Sequence, residues 1–510
     1  VNDEKRTVLN DSLDQALART SPRLAPTRTP IASVAIHLGV MVLWCVLFAR
    51  AFFLQGVVAW STGIAYVIYD TLLLVFVAWQ ARVLLRPVGV AAIPAASGVP
   101  ALQPGSQPIA QPISQPTLGV IVAAHNEAAV LPITLDALFA QTCAPQQIVI
   151  ADDGSSDGTA ALLAERYGLI DPGEGRLSTP SPGYPNLRWL RLPHGGKARA
   201  LNAALGAIRT DAVMTVDADT LLEPDACAAM ADAFGREPAL VAAAGLLTPV
   251  CGTSPSGRFF QWFQTYEYIR NFISRFAWMR ADSLLLVSGA FAAFRRDAVM
   301  AVGGFDPHCL VEDYELIHRL RRHSAREALG WDVRVIGAAR ARTDAPGTLA
   351  SFLRQRRRWF AGFLQTQYWY RDMTGNRRYG KLGLMMLPVK AFDTVQPIYG
   401  LTAFALLLGF LFDGRFTIVL PVLAVIVGKI AIDLAFHLFS LHLYRRWSGD
   451  RTRSSFGMAL LAAIFEPFSF QLMRHAGAAL GWLHFLLGRR KWGVQQRTGL
   501  GAPRGRGTAV

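Results

Sequence analysis

Three acidic clusters stand out by residue type and spacing. Asp152 and Asp153 follow the apolar run IVIA in ADDGSSDGT, Asp217 and Asp219 form an Asp-x-Asp directly after AVMTV, and Glu312 and Asp313 lie in VEDYE. An Asp-x-Asp at a strand end can direct carboxylate oxygens to one hard divalent cation, Mg2+ or Mn2+, while a diphosphate supplies further ligands. Such a cation neutralises charge building on a departing diphosphate. Asp152 and Asp153 precede Gly154, where a tight turn at the sheet edge would let carboxylates accept from a nucleobase N–H or from ribose hydroxyls. Lys197 follows two glycines in HGGKARALN, at a predicted helix start, where its charge and nearby backbone N–H groups suit a diphosphate. This element is neither the phosphate loop GxxxxGK(S/T) nor the dinucleotide fingerprint GxGxxG. Displacing a diphosphate by a hydroxyl also needs a general base on the opposite face. Asp313 is the candidate, because its cluster is separate from the metal cluster, with Glu312 as the alternative. Either carboxylate could instead cap the helix beginning there.

Such residues need a scaffold that gathers strand ends. The runs at 118–124, 148–151, 187–190, 212–216 and 241–245 read as short buried strands, and helices are predicted from about Glu127, Asp157 and Lys197. Strand and helix alternating at short spacing predicts an α/β domain with a mostly parallel sheet. Ligands of such sheets bind beyond the carboxyl ends of the strands, where the acidic clusters fall.

The rest of the chain has a different composition. Over 510 residues, 52% are apolar and only 17% charged, against about 25% charged in ordinary soluble domains. Residues 31–54 and 57–79 are each long enough to cross a hydrocarbon core, as are 384–412 and 416–443. Asp70 lies within the second run, where a charge calls for a partner inside the bundle. Residues 456–487 are apolar but interrupted by Glu466, Pro467 and Arg474, which favours a broken or paired segment over one long tilted helix. Net charge is +15, and basic residues follow the apolar runs at Arg82, Arg86, Arg445, Arg446 and 489–491. That distribution fits a multi-pass protein of the plasma (bacterial inner) membrane with its large domain and N-terminus cytosolic. No nucleic-acid motif is present, so nucleic acid is not an expected partner. The five cysteines form no CxxC pair and fit a reducing compartment. The first apolar run begins near Ile31, too far in and too long for a cleaved signal peptide.

The expected organisation is an N-terminal tail (1–30), a two-helix transmembrane hairpin (31–80), a Pro/Gln-rich linker (81–117), the α/β domain (118–360), an interfacial segment (361–383), C-terminal transmembrane helices with a broken or re-entrant piece (384–490), and a tail (491–510). The aromatic and basic stretch 258–280 reads either as a partly buried helix or as one lying in the membrane interface.

Taken in order, these elements resemble the membrane-bound processive branch of inverting glycosyltransferase family 2. That branch includes bacterial cellulose, poly-N-acetylglucosamine, chitin and hyaluronan synthases. The family pattern D, DxD, D, QxxRW is matched by Asp152/Asp153, Asp217 and Asp219, Asp313, and Gln355 to Trp359 with its arginine at Arg358. The resemblance implies a glycosyltransferase A-type α/β domain inserted between transmembrane helices. It implies a uracil contact at the first Asp, metal binding by Asp217 and Asp219, and Asp313 as base. It further implies a diphosphate contact at Arg358 and a stacking floor for the acceptor sugar at Trp359, beside Gln355. AAHNE, with Glu127, resembles the family's first-strand motif on the donor side. Gly195 to Asn202 resembles its GGKxxAL element, and Ser288 and Gly289 resemble the small residues beside the acceptor pocket. The expected partners are a UDP-sugar (UDP-glucose or UDP-N-acetylglucosamine), a saccharide or lipid-linked acceptor, membrane lipids and an accessory export subunit. The expected reaction extends a polysaccharide. Transfer of a few sugars to a lipid-linked acceptor is the second reading. A transporter or scaffold is the third, and the intact Asp217, Asp219 and Asp313 argue against it.

Overall fold

A computed structural model describes residues 2–86, 116–449 and 455–488. Most of the expected linker, residues 450–454, the basic positions 489–491 and the C-terminal tail lie outside the described residues.

The polar N-terminal stretch forms a helix, α1 (Asn2–Thr20), docked on the α/β domain. Just beyond it, Arg23 pairs with buried Asp306 at 2.9 Å, and Thr27 donates to Asp372 at 2.6 Å. Helices α2 (Ile31–Phe53) and α3 (Ser61–Ala81) follow, long and apolar enough to cross a membrane. Val34, Leu38, Val42 and Phe53 of α2 face outward, as side chains in contact with lipid would.

The α/β domain then runs β1 (Leu118–Ala124), α4 (Leu131–Phe139), β2 (Gln147–Asp153), α5 (Thr159–Tyr167), β3 (Leu187–Leu192), α6 (Lys197–Ala207), β4 (Ala212–Asp217), β5 (Thr220–Leu222) and α7 (Ala226–Arg236). It continues through β6 (Leu240–Val250), α8 (Pro255–Arg280), β7 (Phe291–Arg295), α9 (Arg296–Ala301), α10 (Glu312–Glu327), β8 (Asp332–Asp344) and α11 (Leu349–Trp369). The strand order is β3-β2-β1-β4-β7-β6-β8-β5. The first four strands are parallel, and β7 runs antiparallel between β4 and β6. LGVIVAA of β1 is buried almost throughout, as a strand covered on both faces must be. Register brings Ala124 beside Asp152 and Ala123 beside Asp217, so the acidic strand ends share one edge.

Helices α12 (Leu387–Phe412) and α13 (Phe416–Ser448) supply the next two membrane-length segments. The expected break in the last apolar stretch is present. Helix α14 (Phe456–Phe465) and α15 (Phe470–Leu486) meet at a 49° bend around Pro467. Asp70 finds its expected partner, Lys429 of α13, at 2.7 Å, and Lys429 also pairs with Asp433.

Two devices hold α10 and α11. Gly477 and Gly481 of α15 let α11 approach closely, since a Cβ at either would lie 2.6 Å from the Cβ of Arg356 or Phe360. Within α10, Glu315 and Arg319 are both fully buried and paired at 2.7 Å. Arg319 also donates to the carbonyls of Val302 and Gly304, and the Tyr370 hydroxyl donates to Glu315 at 2.5 Å. Arg319→Met is expected to cost about 3–5 kcal/mol by leaving Glu315 buried without its cation. Thermal unfolding of the purified protein checks this, and an unchanged Tm would show that the pair carries no stability.

Candidate active site

The end of β1 leads into His125, Asn126 and Glu127, the end of β2 presents Asp153, and the β3–α6 loop carries His194, Gly195 and Gly196. Asp153 Oδ1 accepts from the Gly195 N–H at 2.7 Å and the Gly196 N–H at 3.1 Å, and its Oδ2 lies 3.0 Å from His194 Nδ1. Gly196 reaches this position at φ +94°, a conformation that side chains disfavour. These amides, expected to be available to a diphosphate, are therefore taken by Asp153. Asp152 points elsewhere. Neighbouring strand residues face opposite sides of a sheet, and the Asp152 carboxylate accepts from Trp189 Nε1 at 3.2 Å and Ser155 N–H at 2.9 Å. The structure thus brings Asp153, and not Asp152, to the cavity.

That cavity has a volume of about 1510 Å³. Of the residues singled out in the sequence, Glu127, Asp153, Lys197, Asp217, Asp219, Ser288, Glu312, Asp313, Gln355, Arg358 and Trp359 line it. Gly289 lies behind the wall. Its N–H donates to Asp313 Oδ2 at 2.6 Å, and a Cβ there would sit 3.2 Å from that oxygen, so glycine makes room for the carboxylate.

Lys197 Nζ lies 2.5 Å from Asp217 and 3.6 Å from Glu312. Burial disfavours its charge, but Asp217 and Glu312 outweigh that and raise its pKa. Glu312 is itself raised by burial, with Lys197 and Arg358 opposing. Asp313, at the first turn of α10, accepts from the Tyr314 N–H at 2.8 Å as well as from Gly289. On α11, Arg356 turns inward to Glu267 of α8 at 2.6 Å and lies 4.4 Å from the Trp359 ring centroid. Gln355 Oε1 is closed off from solvent and has no hydrogen-bond partner among the described residues.

Two donor sets could hold a divalent cation. Asp219 is pushed up to about 8, first by burial and then by the charges of Asp217 and Asp344. Carboxylates crowded in this way fit a hard cation bound through oxygen. The second set, His125, Asp153 and His194, has ligand atoms within 4.8 Å of one another and rings stacked at 4.3 Å. Sequence reasoning missed both histidines. Their signal was their place immediately after β1 and immediately before the two glycines.

Known proteins resemble this chain in sequence and in fold. Residues 119–303 match the family model "Glycosyl transferase family 2", and 212–432 match "Glycosyl transferase family group 2". The chain is 28% identical over 249 residues to the poly-beta-1,6-N-acetyl-D-glucosamine synthase of Staphylococcus aureus (strain COL), covering 48% of this chain and 53% of that protein. It is 26% identical over 285 residues to the same-named synthase of Staphylococcus epidermidis, covering 55% and 62%. The chain thus spans about half the length of the curated relatives it matches. The mannosyltransferase PcManGT from Pyrobaculum calidifontis, solved with GDP-Man and Mn2+, shares the fold. It aligns with 81% of this chain and 99% of its own at a TM-score of 0.50 and 20% identity. Residues 119–432 are thus covered by models of family 2 glycosyltransferases, and the α/β domain has the GT-A-type fold of a nucleotide-sugar transferase, flanked by apolar helices of membrane-spanning length.

Proposed function

We propose that the chain extends a polysaccharide by inverting transfer from a UDP-sugar, with UDP-N-acetylglucosamine favoured over UDP-glucose by the names of its relatives. One observation carries the polymer reading. The cavity is continuous from Asp153 and Lys197 at the strand ends, past Asp313 and Trp359, to Asp70, Lys429 and Glu466 among the membrane-length helices. A growing chain needs such a path. Charge placement supports a catalytic domain on the cytosolic side of a plasma membrane, where nucleotide sugars are found.

In this mechanism Asp153 and Glu127 contact the nucleoside. Lys197 and Arg358 face the diphosphate. Mg2+ or Mn2+, held by Asp217 and Asp219, would neutralise charge on the leaving diphosphate. Asp313 takes the proton of the acceptor hydroxyl, whose oxygen bonds to the anomeric carbon as the bond to the diphosphate breaks on the opposite face. UDP leaves and the anomeric configuration inverts. Trp359 offers the acceptor sugar an aromatic face, and Gln355 offers a hydrogen bond.

The test is a panel of radiolabelled nucleotide sugars with purified protein and Mg2+ or Mn2+. Product is sized on gels and digested with linkage-specific hydrolases. One donor should dominate and give a ladder of lengthening product. A single added sugar, or labelled glycolipid without polymer, would replace chain extension with transfer to a lipid-linked acceptor.

A further inference from the structure

The segment 20–30, between α1 and the first membrane-length helix, lies against a turn that leads into Asp313. Helix α1 buries Leu13, Ala16 and Leu17 against the α/β domain, and a Cβ at Gly303 would run into the backbone of Leu13 and Leu17. Thr20 Oγ1 donates to the Val302 carbonyl at 2.8 Å, and Arg322 of α10 donates to the Thr20 carbonyl at 3.0 Å. Arg23 then grips fully buried Asp306 with two parallel bonds, Nε to Oδ2 at 2.9 Å and Nη2 to Oδ1 at 3.0 Å. Its guanidinium also lies 5.6 Å from the ring centroid of Trp369, the last residue of α11.

Asp306 passes that hold to the cavity wall. Its Oδ1 also accepts from the His308 N–H at 2.9 Å, and its carbonyl accepts from the Cys309 N–H at 3.2 Å, which shapes the turn 306–309. Pro307, Cys309 and Leu310 line the cavity, and the chain then runs through Val311 into Glu312 and Asp313. The same stretch is tied to α11, the helix that carries Gln355 and Trp359. The Leu310 N–H donates to Gln365 Oε1 at 3.0 Å, and Gln365 Nε2 donates to the His308 carbonyl at 3.1 Å. The donor side is held separately. Asn202 of α6, the helix that begins at Lys197, exchanges hydrogen bonds of 2.7 and 2.8 Å with the backbone of Phe305, just before the turn.

Building on the proposed transfer reaction, we infer that Arg23 is a positioning residue for the acceptor side: through Asp306 it fixes the wall from Pro307 to Leu310 and the start of α10 that presents Asp313. A bidentate guanidinium–carboxylate pair fixes orientation as well as charge. A misplacement of about 1 Å, even one caused far from the chemistry, can cost about 10^2-fold in rate. The segment ahead of the first membrane-length helix thereby serves the site, although none of its described residues lines the cavity.

The test measures transfer per UDP-binding site in the full-length protein, with UDP affinity, donor KM and Tm alongside. Arg23→Ala should lower kcat by about 10- to 10^2-fold and leave UDP affinity and donor KM at their wild-type values. It also leaves Asp306 buried without its cation, so Tm should fall. The combined Arg23→Ala and Asp306→Asn variant removes that stranded charge. Its Tm should return towards wild type while kcat stays low, which a purely structural pair would not give. Arg23→Lys restores the charge without the planar fork and should recover kcat only in part. A wild-type kcat per UDP-binding site in Arg23→Ala overturns the inference. So does a double variant whose kcat recovers together with its Tm, or a fall in UDP affinity large enough to explain the lost rate. If Arg23→Ala does not fold, the double variant decides. Failure of the transfer reading looks different: wild-type protein yields no product from any nucleotide sugar, yet amide hydrogen exchange across 306–311 still rises in Arg23→Ala against an unchanged 197–207. Unchanged exchange across 306–311 overturns the inference as well.

Discussion

Asp313→Asn is expected to slow sugar transfer by about 10^2- to 10^4-fold while UDP binding persists. The substitution keeps the shape and the oxygen that accepts the Gly289 N–H at 2.6 Å, but sets an amide NH2 against the Tyr314 N–H, so the UDP affinity measured beside it separates loss of the base from a disturbed site. Glu312→Gln is expected to behave differently. Glu312 is buried, sits 3.6 Å from Lys197, and serves the electrostatics of the diphosphate side. Its loss should raise the donor KM more than it lowers kcat. Single-turnover release of UDP, measured beside equilibrium UDP binding, separates the two. Transfer by Asp313→Asn within tenfold of wild type would remove Asp313 from the role of base and return attention to Glu312.

The candidate carboxylates were legible because each sits at the end of a continuous apolar strand or at a helix start, features written in neighbouring residues. Asp217 follows AVMTV, and Asp313 opens an amphipathic helix. The membrane-length helices were legible for the same reason, as was the break at Pro467. Less was legible wherever facing or distant contact decides. Asp152 and Asp153 look equivalent in a sequence, yet strand alternation sends one to Trp189 and the other to the cavity. Gly289 resembled an acceptor-pocket residue, but its contact is with Asp313 from behind, a pairing that no local pattern contains. The aromatic and basic stretch 258–280 supported two readings because composition cannot tell an interfacial arginine from an inward one. In the fold, Arg270 turns to Glu466 and Glu267 receives Arg356. The N-terminal stretch read as a tail because it is polar. Its attachment depends on Arg23 meeting buried Asp306, nearly three hundred residues away. Asp344 and the two histidines reach the site through the strand order, which brings together ends far apart in the chain.

Removing divalent cations is expected to stop transfer, with Mg2+ or Mn2+ restoring it, and the two donor sets predict different variants. If the carboxylates hold the cation, Asp219→Asn should lower activity by about 10^2- to 10^3-fold and raise the half-saturating Mg2+ concentration. The combined His125→Ala and His194→Ala variant should leave that concentration unchanged. The argument rests on ligand hardness. Mg2+ and Mn2+ select oxygen ligands, whereas an imidazole-rich set suits softer ions. It rests also on how each set is already satisfied. The Asp153 carboxylate accepts two backbone amides and lies against His194, so its charge is spread over existing hydrogen bonds. Asp219 is crowded by Asp217 and Asp344, with Lys197 as the opposing charge, and a cation would relieve that crowding. Metal titrations of activity for the wild type and both variants decide between the sets. Loss of Mg2+ dependence in the double-histidine variant, with Asp219→Asn unaffected, would move the metal to His125, Asp153 and His194. Lys197 would then be left as the principal charge facing the leaving diphosphate.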